Sequence, residues 1–335
     1  MVLLPLGGRQ LTCIHSAYST IMSTTNQQTR TYLMKKFDAM GIHPQTRLGQ
    51  NFLIDLNLLR LLHESGKIEP NDVVLEVGTG TGSLTAPMAE KAAAVVTVDV
   101  DPVMQEVAKQ ELFDRKNIRF LKTDILKNKN RLSQEVLEVV AEELAKPGEN
   151  GENRSFKLVA NLPYCVATPL ISNLLLLDRP PELMCVTIQK ELADRIVAKP
   201  GTKDWGALSL WLQSQCQTEL IRIMPASVFW PRPKVESAII RITLDAKRRH
   251  KIPDLKYFNE FSRAVFFHRR KFLRAELCSM FKNKIPKERI DEIMDEMEFD
   301  ANIRAETLPI KTMLRLGEKC RQEILKLPES ERKIL

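Results

Sequence analysis

Val73-Val-Leu-Glu-Val77, followed at once by Gly78-Thr-Gly80-Thr-Gly82, is the stretch on which the fold turns. A short apolar, β-branched run reads as a buried strand, and glycines directly after it read as a tight turn opening into a helix. Glycine lets the backbone bend there and approach a ligand with no Cβ in the way. Outward from this point, similar runs recur at Val95–Val100, Ile118–Lys122, Lys157–Ala160, Met184–Ile188 and Ala238–Leu244. Helix-length amphipathic segments such as Leu84–Lys91 and Val103–Leu112 separate the first of them. The alternation predicts an α/β fold: a doubly wound, mainly parallel Rossmann-like sheet over residues 31–244.

Residues 127–155 interrupt the rhythm. Leu132–Leu144 has helical spacing and is followed by the turn-rich PGENGENRS, so the stretch reads as an insertion beside the active face with no chemistry of its own. After Leu244 the strand signal stops. Lys247–Lys251 (KRRHK) reads as a basic linker and Leu255–Leu335 as several short helices, giving a smaller C-terminal helical domain over 245–335. Residues 1–30 hold Arg9 and Arg30 and no acid. They resemble a weak organellar presequence or an upstream extension before a natural start at Met22, and we take the second reading, with the extension expected to be disordered.

The 335-residue chain is 44% hydrophobic and 27% charged, as a soluble protein with a real core would be. Aromatics are only 6%, which argues against a broad stacking surface for single strands. Net charge is +8, and it is concentrated: Lys247–Arg289 holds 14 Lys/Arg against 4 Asp/Glu, leaving the rest of the chain slightly acidic. A polyanionic partner fits this, and so does a solvated basic face. Cys13, Cys165, Cys185, Cys216, Cys278 and Cys320 are far apart, with no C-x-x-C and no histidine cluster. That argues against a structural metal or a disulfide framework, and for reduced thiols in a cytoplasmic protein. No apolar run reaches the roughly 18 residues of a membrane span. With no self-complementary apolar surface evident, a monomer is expected.

Three acids stand at successive strand ends beside the glycines. Glu76 precedes the loop, where a carboxylate would repel a pyrophosphate but suits a cationic cofactor. Asp99 ends the second strand, placed to accept from ribose hydroxyls. Asp124 ends the third, placed to accept from an adenine amine. The set, with Gly78 and Gly80, fits S-adenosylmethionine better than a nicotinamide cofactor. Any one acid alone reads equally well as a helix cap or a solvated loop residue.

Asn161-Leu162-Pro163-Tyr164 ends the fourth strand. The side-chain oxygen of Asn161 and the carbonyl of Leu162 could accept both hydrogens of an adenine amine, turning its lone pair toward a methyl donor. Pro163 stiffens the turn and contributes no competing N–H. Tyr164 offers a face for a stacked base, a contact of about 1–3 kcal/mol. No general base is needed before attack, so catalysis is mostly alignment, which can recover about 7–11 kcal/mol of barrier. Phe229 is a second aromatic that could sandwich the base, or else a core residue beside a proline turn.

With these residues in place, the chain resembles the ribosomal RNA small-subunit adenine dimethyltransferases. The resemblance rests on RLGQNFLID (47–55), EVGTGTGSLT (76–85), the acid of VDVD (98–101), TDIL (123–126) and ANLPY (160–164). It continues through QKELADRIVAKPGTKDWGALS (189–209), FWPRPKVESAIIRI (229–242) and FFHRRKFLRAEL (266–277), in the family's order. It implies that Asn51 and Leu53 cover the cofactor, Gly78 lies under its methionine portion, Asp99 holds the ribose, Asp124 the adenine amine, and Asn161 stands at the transfer site. The family usually has Glu at the position of Asp99, so a shorter arm serves here, with Asp101 as fallback. Where the family often has Asn and Ser after the N-L-P-Y core, this chain has Cys165-Val-Ala167, which implies changed packing.

The implied activity is dimethylation of two adjacent adenosines in a hairpin loop near the 3′ end of small-subunit rRNA, on a pre-ribosomal particle. Arg248, Arg249, Arg269, Arg270, Lys271 and Arg274 would contact the rRNA backbone, the last four read as lying at helical spacing. Two alternatives stay open: a large-subunit rRNA adenine methyltransferase of the antibiotic-resistance type, and a non-catalytic assembly or transcription factor on the same fold.

Overall fold

Strand β2 (Asp72–Val77) is buried along its whole length, so both of its faces must meet apolar layers. Period-two alternation divides it: Val73, Leu75 and Val77 enter one core and Val74 the other. The computed structural model describes residues 29–45 and 48–332; the extension expected over residues 1–30 therefore lies, up to residue 28, outside them. Helix α1 (Arg30–Met40), capped by Thr29, belongs to a first unit ending at His43, and residues 44–335 form a second.

In the second unit, β1 (Phe52–Leu53) is followed by α2 (Leu56–Ser65), β2, α3 (Thr85–Ala89), β3 (Ala94–Asp99), α4 (Pro102–Glu111) and β4 (Ile118–Lys122). A hairpin, β5 (Leu126–Asn128) and β6 (Arg131–Leu132), leads to α5 (Gln134–Ala145), β7 (Ser155–Asn161), α6 (Tyr164–Leu174) and β8 (Leu183–Gln189). Then come α7 (Lys190–Val197), α8 (Ala207–Gln213), β9 (Cys216–Met224), β10 (Phe229–Trp230) and β11 (Ser237–Leu244). The chain closes with α9 (Ala246–Arg249), α10 (Leu255–Val265), α11 (Leu273–Met280), α12 (Lys287–Glu296) and α13 (Ile310–Leu325).

The main sheet has seven strands in the order β4-β3-β2-β7-β8-β11-β9. Strands β4, β3, β2, β7 and β8 run parallel, and β11 is antiparallel to both β8 and β9. The chain winds outward from β2 to β4 and then returns to β7, so the strand order reverses between β2 and β7. Ligands of open α/β sheets bind at such a reversal, outside the carboxyl ends of the strands. The Rossmann-like reading thus holds, with an antiparallel edge as an addition.

Residues 127–155, expected as an insertion beside the active face, contain an integral crossover of the sheet. Helix α5 packs on β2 and β3 and carries the chain from the edge strand β4 back to β7. Val136 and Val140 are buried in the main core. Its buried Glu143 also gathers Arg119 of β4 at 2.9 Å and Arg154 at 3.4 Å. Parallel strands require a crossover of this kind, and the hairpin and turn-rich flanks disguise it in the sequence. The C-terminal helices share the core of the same sheet face: Phe258, Phe261, Leu277 and Leu316 join Leu75, Leu158 and Ile240 in one apolar cluster. The boundary expected at residues 244/245 accordingly falls inside the second unit. No helix of the described residues is long and apolar enough to cross a membrane.

Candidate functional site

A cavity of about 260 Å³ opens at the carboxyl ends of β2, β3 and β7. Its floor is the glycine loop. Gly78 has φ +89° and donates its N–H to Val98 at 2.8 Å; a Cβ there would stand 3.3 Å from the Pro163 ring. Gly80 has φ +52°, and a Cβ on it would meet the Phe52 ring at 3.3 Å. Only glycine meets both the positive φ and the close approach.

Asp99, at the tip of β3, forms one wall. Its Oδ2 accepts from Gly80 N at 3.0 Å and its Oδ1 from Asp101 N at 2.9 Å. Both oxygens keep lone pairs for hydroxyl donors. Burial pushes this carboxyl above its ordinary range, and the two N–H groups pull it partly back. Asp124 lines the far side, exposed, with Oδ1 accepting from Leu126 N at 2.8 Å so that the carboxylate is fixed by its own turn. The shorter arm at position 99 therefore still reaches the cavity. Asp101 does not line it: its Oδ1 caps α4 through Val103 N at 2.9 Å, and its Oδ2 accepts from Gln50 Nε2 at 2.7 Å.

The second wall is the turn after β7. Asn161, Leu162, Pro163 and Tyr164 all line the cavity. Asn161 Nδ2 donates to the Asn51 carbonyl at 3.0 Å, which commits the amide nitrogen and leaves Oδ1 as the acceptor. Asn51 belongs to the segment Leu48–Phe52 that forms the roof, held by the Gln50–Asp101 bond and by Gln45 N donating to Gln50 Oε1 at 2.6 Å. The Tyr164 hydroxyl lies 2.6 Å from Ser237 Oγ at the start of β11, which fixes its ring. Burial raises the phenol's pKa, against the pull of that bond.

The structure therefore brings together Asn51, Gly78, Gly80, Asp99, Asp124 and Asn161 through Tyr164. Three expected residues fall elsewhere. Leu53 is buried and pairs with Phe229 between β1 and β10, so both are core residues and neither lines the cavity. Phe52 takes the lining role instead; adjacent strand residues face opposite ways, and that alternation was the available signal. Glu76, one residue short of the strand end, points away from the cavity. It is 1% exposed, and its Oε2 accepts from Thr85 and Thr97 hydroxyls, each at 2.6 Å. Desolvation, opposed by those two bonds, lifts its pKa to about 8. Gln50, Thr123 and Cys165 line the cavity without having been singled out for it.

The basic candidates diverge too. Arg249 donates to the carbonyls of Leu175 at 2.7 Å and Leu177 at 2.9 Å and to Gln215 Oε1 at 2.7 Å. It is an internal strut, because its guanidinium closes three acceptors that the fold would otherwise strand. Arg248 reaches the carbonyls of Gln213 and Cys216. Arg269 binds Glu306 at 2.7 Å and the carbonyls of Thr202 and Lys203, tying down the turn at 199–206. Arg274 pairs through two bonds with Asp291. Residues 268–271 form turns between α10 and α11, so the expected helical spacing does not hold. Of the six, Arg270 and Lys271 alone are exposed and form no ion pair or side-chain hydrogen bond among the described residues.

Known proteins share this chain's sequence pattern and fold. Residues 42–316 match the family described as ribosomal RNA adenine dimethylase. The chain is 37% identical over 288 residues to the ribosomal RNA small subunit methyltransferase A of Listeria innocua, covering 86% of this chain and 93% of that protein. It is 38% identical over 281 residues to the protein of the same name from Geobacillus thermodenitrificans, covering 83% and 91%. Among solved structures, a dimethyladenosine transferase from Plasmodium falciparum aligns with a TM-score of 0.64 at 22% identity, covering 80% of this chain and 97% of that one. The 23S rRNA methyltransferase ErmE aligns at 0.56, also at 22% identity, covering 80% and 99%. At that identity the two structures speak for the fold alone. The family match over most of the chain and the two bacterial relatives go further: this chain belongs to the ribosomal RNA adenine dimethylase family.

Proposed function

We propose that the protein is an S-adenosylmethionine-dependent methyltransferase that dimethylates the exocyclic amine of adenosines in small-subunit rRNA. The finer reading is two adjacent adenosines of a hairpin loop near the 3′ end, met on a pre-ribosomal particle. The carrying observation is the Asn161–Tyr164 turn closing a cavity whose other walls are a glycine loop and two carboxylates.

The donor set suits the cofactor. Asp99 and Asp124 offer acceptors for ribose hydroxyls and an adenine amine, and the bare Gly78 and Gly80 leave room for a ligand against the backbone. When bound, the cofactor supplies an electrophilic methyl group on a sulfonium. The protein's part is alignment. Asn161 Oδ1 and the Leu162 carbonyl accept the two amine hydrogens, and the Tyr164 ring, held through Ser237, receives the base. Loop bases are less costly to extrude than paired ones. The roof at residues 48–52 excludes water from the amine. The proton is lost after transfer, so no side chain has to remove it first.

The test is methyl transfer from labelled S-adenosylmethionine to purified, undermethylated small subunits, with large subunits and DNA as parallel acceptors and the product nucleosides separated by mass. Dimethyladenosine from small subunits alone is the expected result. Label in large-subunit RNA, or cofactor binding without transfer to any acceptor, would overturn the assignment.

A further inference from the structure

The β5–β6 hairpin has no part in the site described above. Leu126 and Leu132 pair across it and pack into the main core, so one side of the ribbon is anchored. Asn173 of α6 donates to the Lys129 carbonyl near the tip at 3.2 Å and to its own helix at Pro169, fastening the far end. A two-stranded ribbon alone is marginal in water; these anchors make it a fixed element. At its base, Leu126 N donates to Asp124, so the ribbon begins at the cavity wall.

Lys127, Lys129 and Arg131 are all exposed and, among the described residues, form no ion pair or side-chain hydrogen bond. No acid occurs between Asp124 and Glu135. The arginines of the C-terminal segment, by contrast, are largely closed on internal carbonyls and carboxylates. Three cations without a side-chain partner among the described residues, on an anchored ribbon beside the cavity wall, form a surface for a polyanion.

We propose that this ribbon grips the RNA backbone: Lys127, Lys129 and Arg131 contact phosphates of the strand that delivers its base to the cavity. This rests on the RNA-methylating reading above and adds a contact surface to it. A base held against Tyr164 remains joined to its chain, and that chain must leave over the rim. The ribbon is a stretch of rim joined directly to the wall at Asp124 and carrying only positive charge. Phosphate contacts of this kind fix register without reading sequence.

The experiment compares wild type with the triple variant Lys127→Glu/Lys129→Glu/Arg131→Glu and the neutral triple Lys127→Gln/Lys129→Gln/Arg131→Gln. Binding to undermethylated small subunits and to a protein-free rRNA hairpin oligonucleotide is measured across a salt series, with S-adenosylmethionine binding as a folding check. We expect unchanged cofactor affinity and at least about 10-fold weaker binding to both RNAs at ~0.1 M salt. The log–log salt slope should become shallower by about two, the release expected from three lost single-strand phosphate contacts. Unchanged affinity and slope in both triples would overturn the proposal. So would weaker particle binding with unaltered hairpin binding, which would point to an acidic protein surface. If the Glu triple loses cofactor binding, the Gln triple decides by the same two readouts. Absence of methyl transfer by wild type would defeat the functional reading and leave the salt-slope comparison decisive for the ribbon.

Discussion

The strand-end cavity and the C-terminal basic segment use their polar groups in opposite ways. In the cavity, Asp99, Asp124 and Asn161 are each fixed by short bonds to or from backbone groups and retain acceptor oxygens facing the open space. In the C-terminal segment, the guanidiniums of Arg249, Arg269 and Arg274 are closed on the protein's own carbonyls and carboxylates. A charged or polar side chain serves binding when the fold fixes its carrier and leaves its acceptors or donors open. Charge density alone does not distinguish the two conditions, and three substitutions test whether the division is real.

The largest effect belongs to Asn161. Its nitrogen holds the roof through the Asn51 carbonyl, and in the proposed reaction its oxygen accepts from the amine. Asn161→Ala should lower kcat by about 10²–10³-fold, the usual cost of one aligned polar group at a reacting centre. Cofactor affinity should stay near the wild-type value. Single-turnover transfer and equilibrium cofactor binding separate the two. A parallel loss of cofactor affinity would mean that Asn161 serves the cofactor and not the amine.

Arg249 tests the other side of the division. Arg249→Ala leaves the Leu175 and Leu177 carbonyls and the Gln215 amide oxygen without their donor. The expected loss is about 2–3 kcal/mol of unfolding free energy in urea, in the range for charged hydrogen bonds to half-buried acceptors. The folded variant should keep the wild-type salt slope for RNA. Lysine should rescue poorly, because an ammonium cannot serve diverging acceptors as a planar fork does. Wild-type stability with a shallower slope would return Arg249 to the interface and break the comparison.

The same division explains what the sequence reveals. The central strands are legible because they are apolar and β-branched, Asp99 because it ends such a run, and Asp124 because it follows the next strand by two residues. Strand β9 is hidden: as the sheet edge it carries Gln217, Glu219 and Arg222 among its apolar residues, and the pattern loses contrast. Helix α5 is legible as a helix, but its role as the crossover from β4 to β7 is disguised by the hairpin before it and the turn after it. Partners distant in the chain leave no local trace at all. Nothing near Arg249 announces Gln215, and nothing near Arg269 announces Glu306. Leu53 and Phe229 mislead for a related reason, since each becomes core only through pairing with the other across β1 and β10.

Glu76 is the exception inside the cavity region, an acid that behaves like the C-terminal arginines. It shares a strand face with Val74, directed to the layer that contains α3, and Thr85 and Thr97 close on it there. With Thr97 donating to the carboxyl, Thr79 must donate to Thr97, 2.7 Å away, so a chain of hydroxyls runs from the glycine loop to the buried acid. The folded pKa of about 8 lies above the ordinary 4.5, so between those values the folded state keeps a proton that the unfolded state has released. Stability contributed by this group must then fall as pH rises through that window and level off above it. Glu76→Gln removes the titration while keeping an oxygen for the threonines. The difference in Tm between variant and wild type should grow in the variant's favour from pH 5 to pH 8, by a few degrees, with the other titrating groups cancelling in the comparison. A difference independent of pH would mean that Glu76 is ionised in the folded protein. Its charge would then stand beneath the glycine loop as an electrostatic partner for a cationic ligand, and the line between binding and supporting groups would run below the loop.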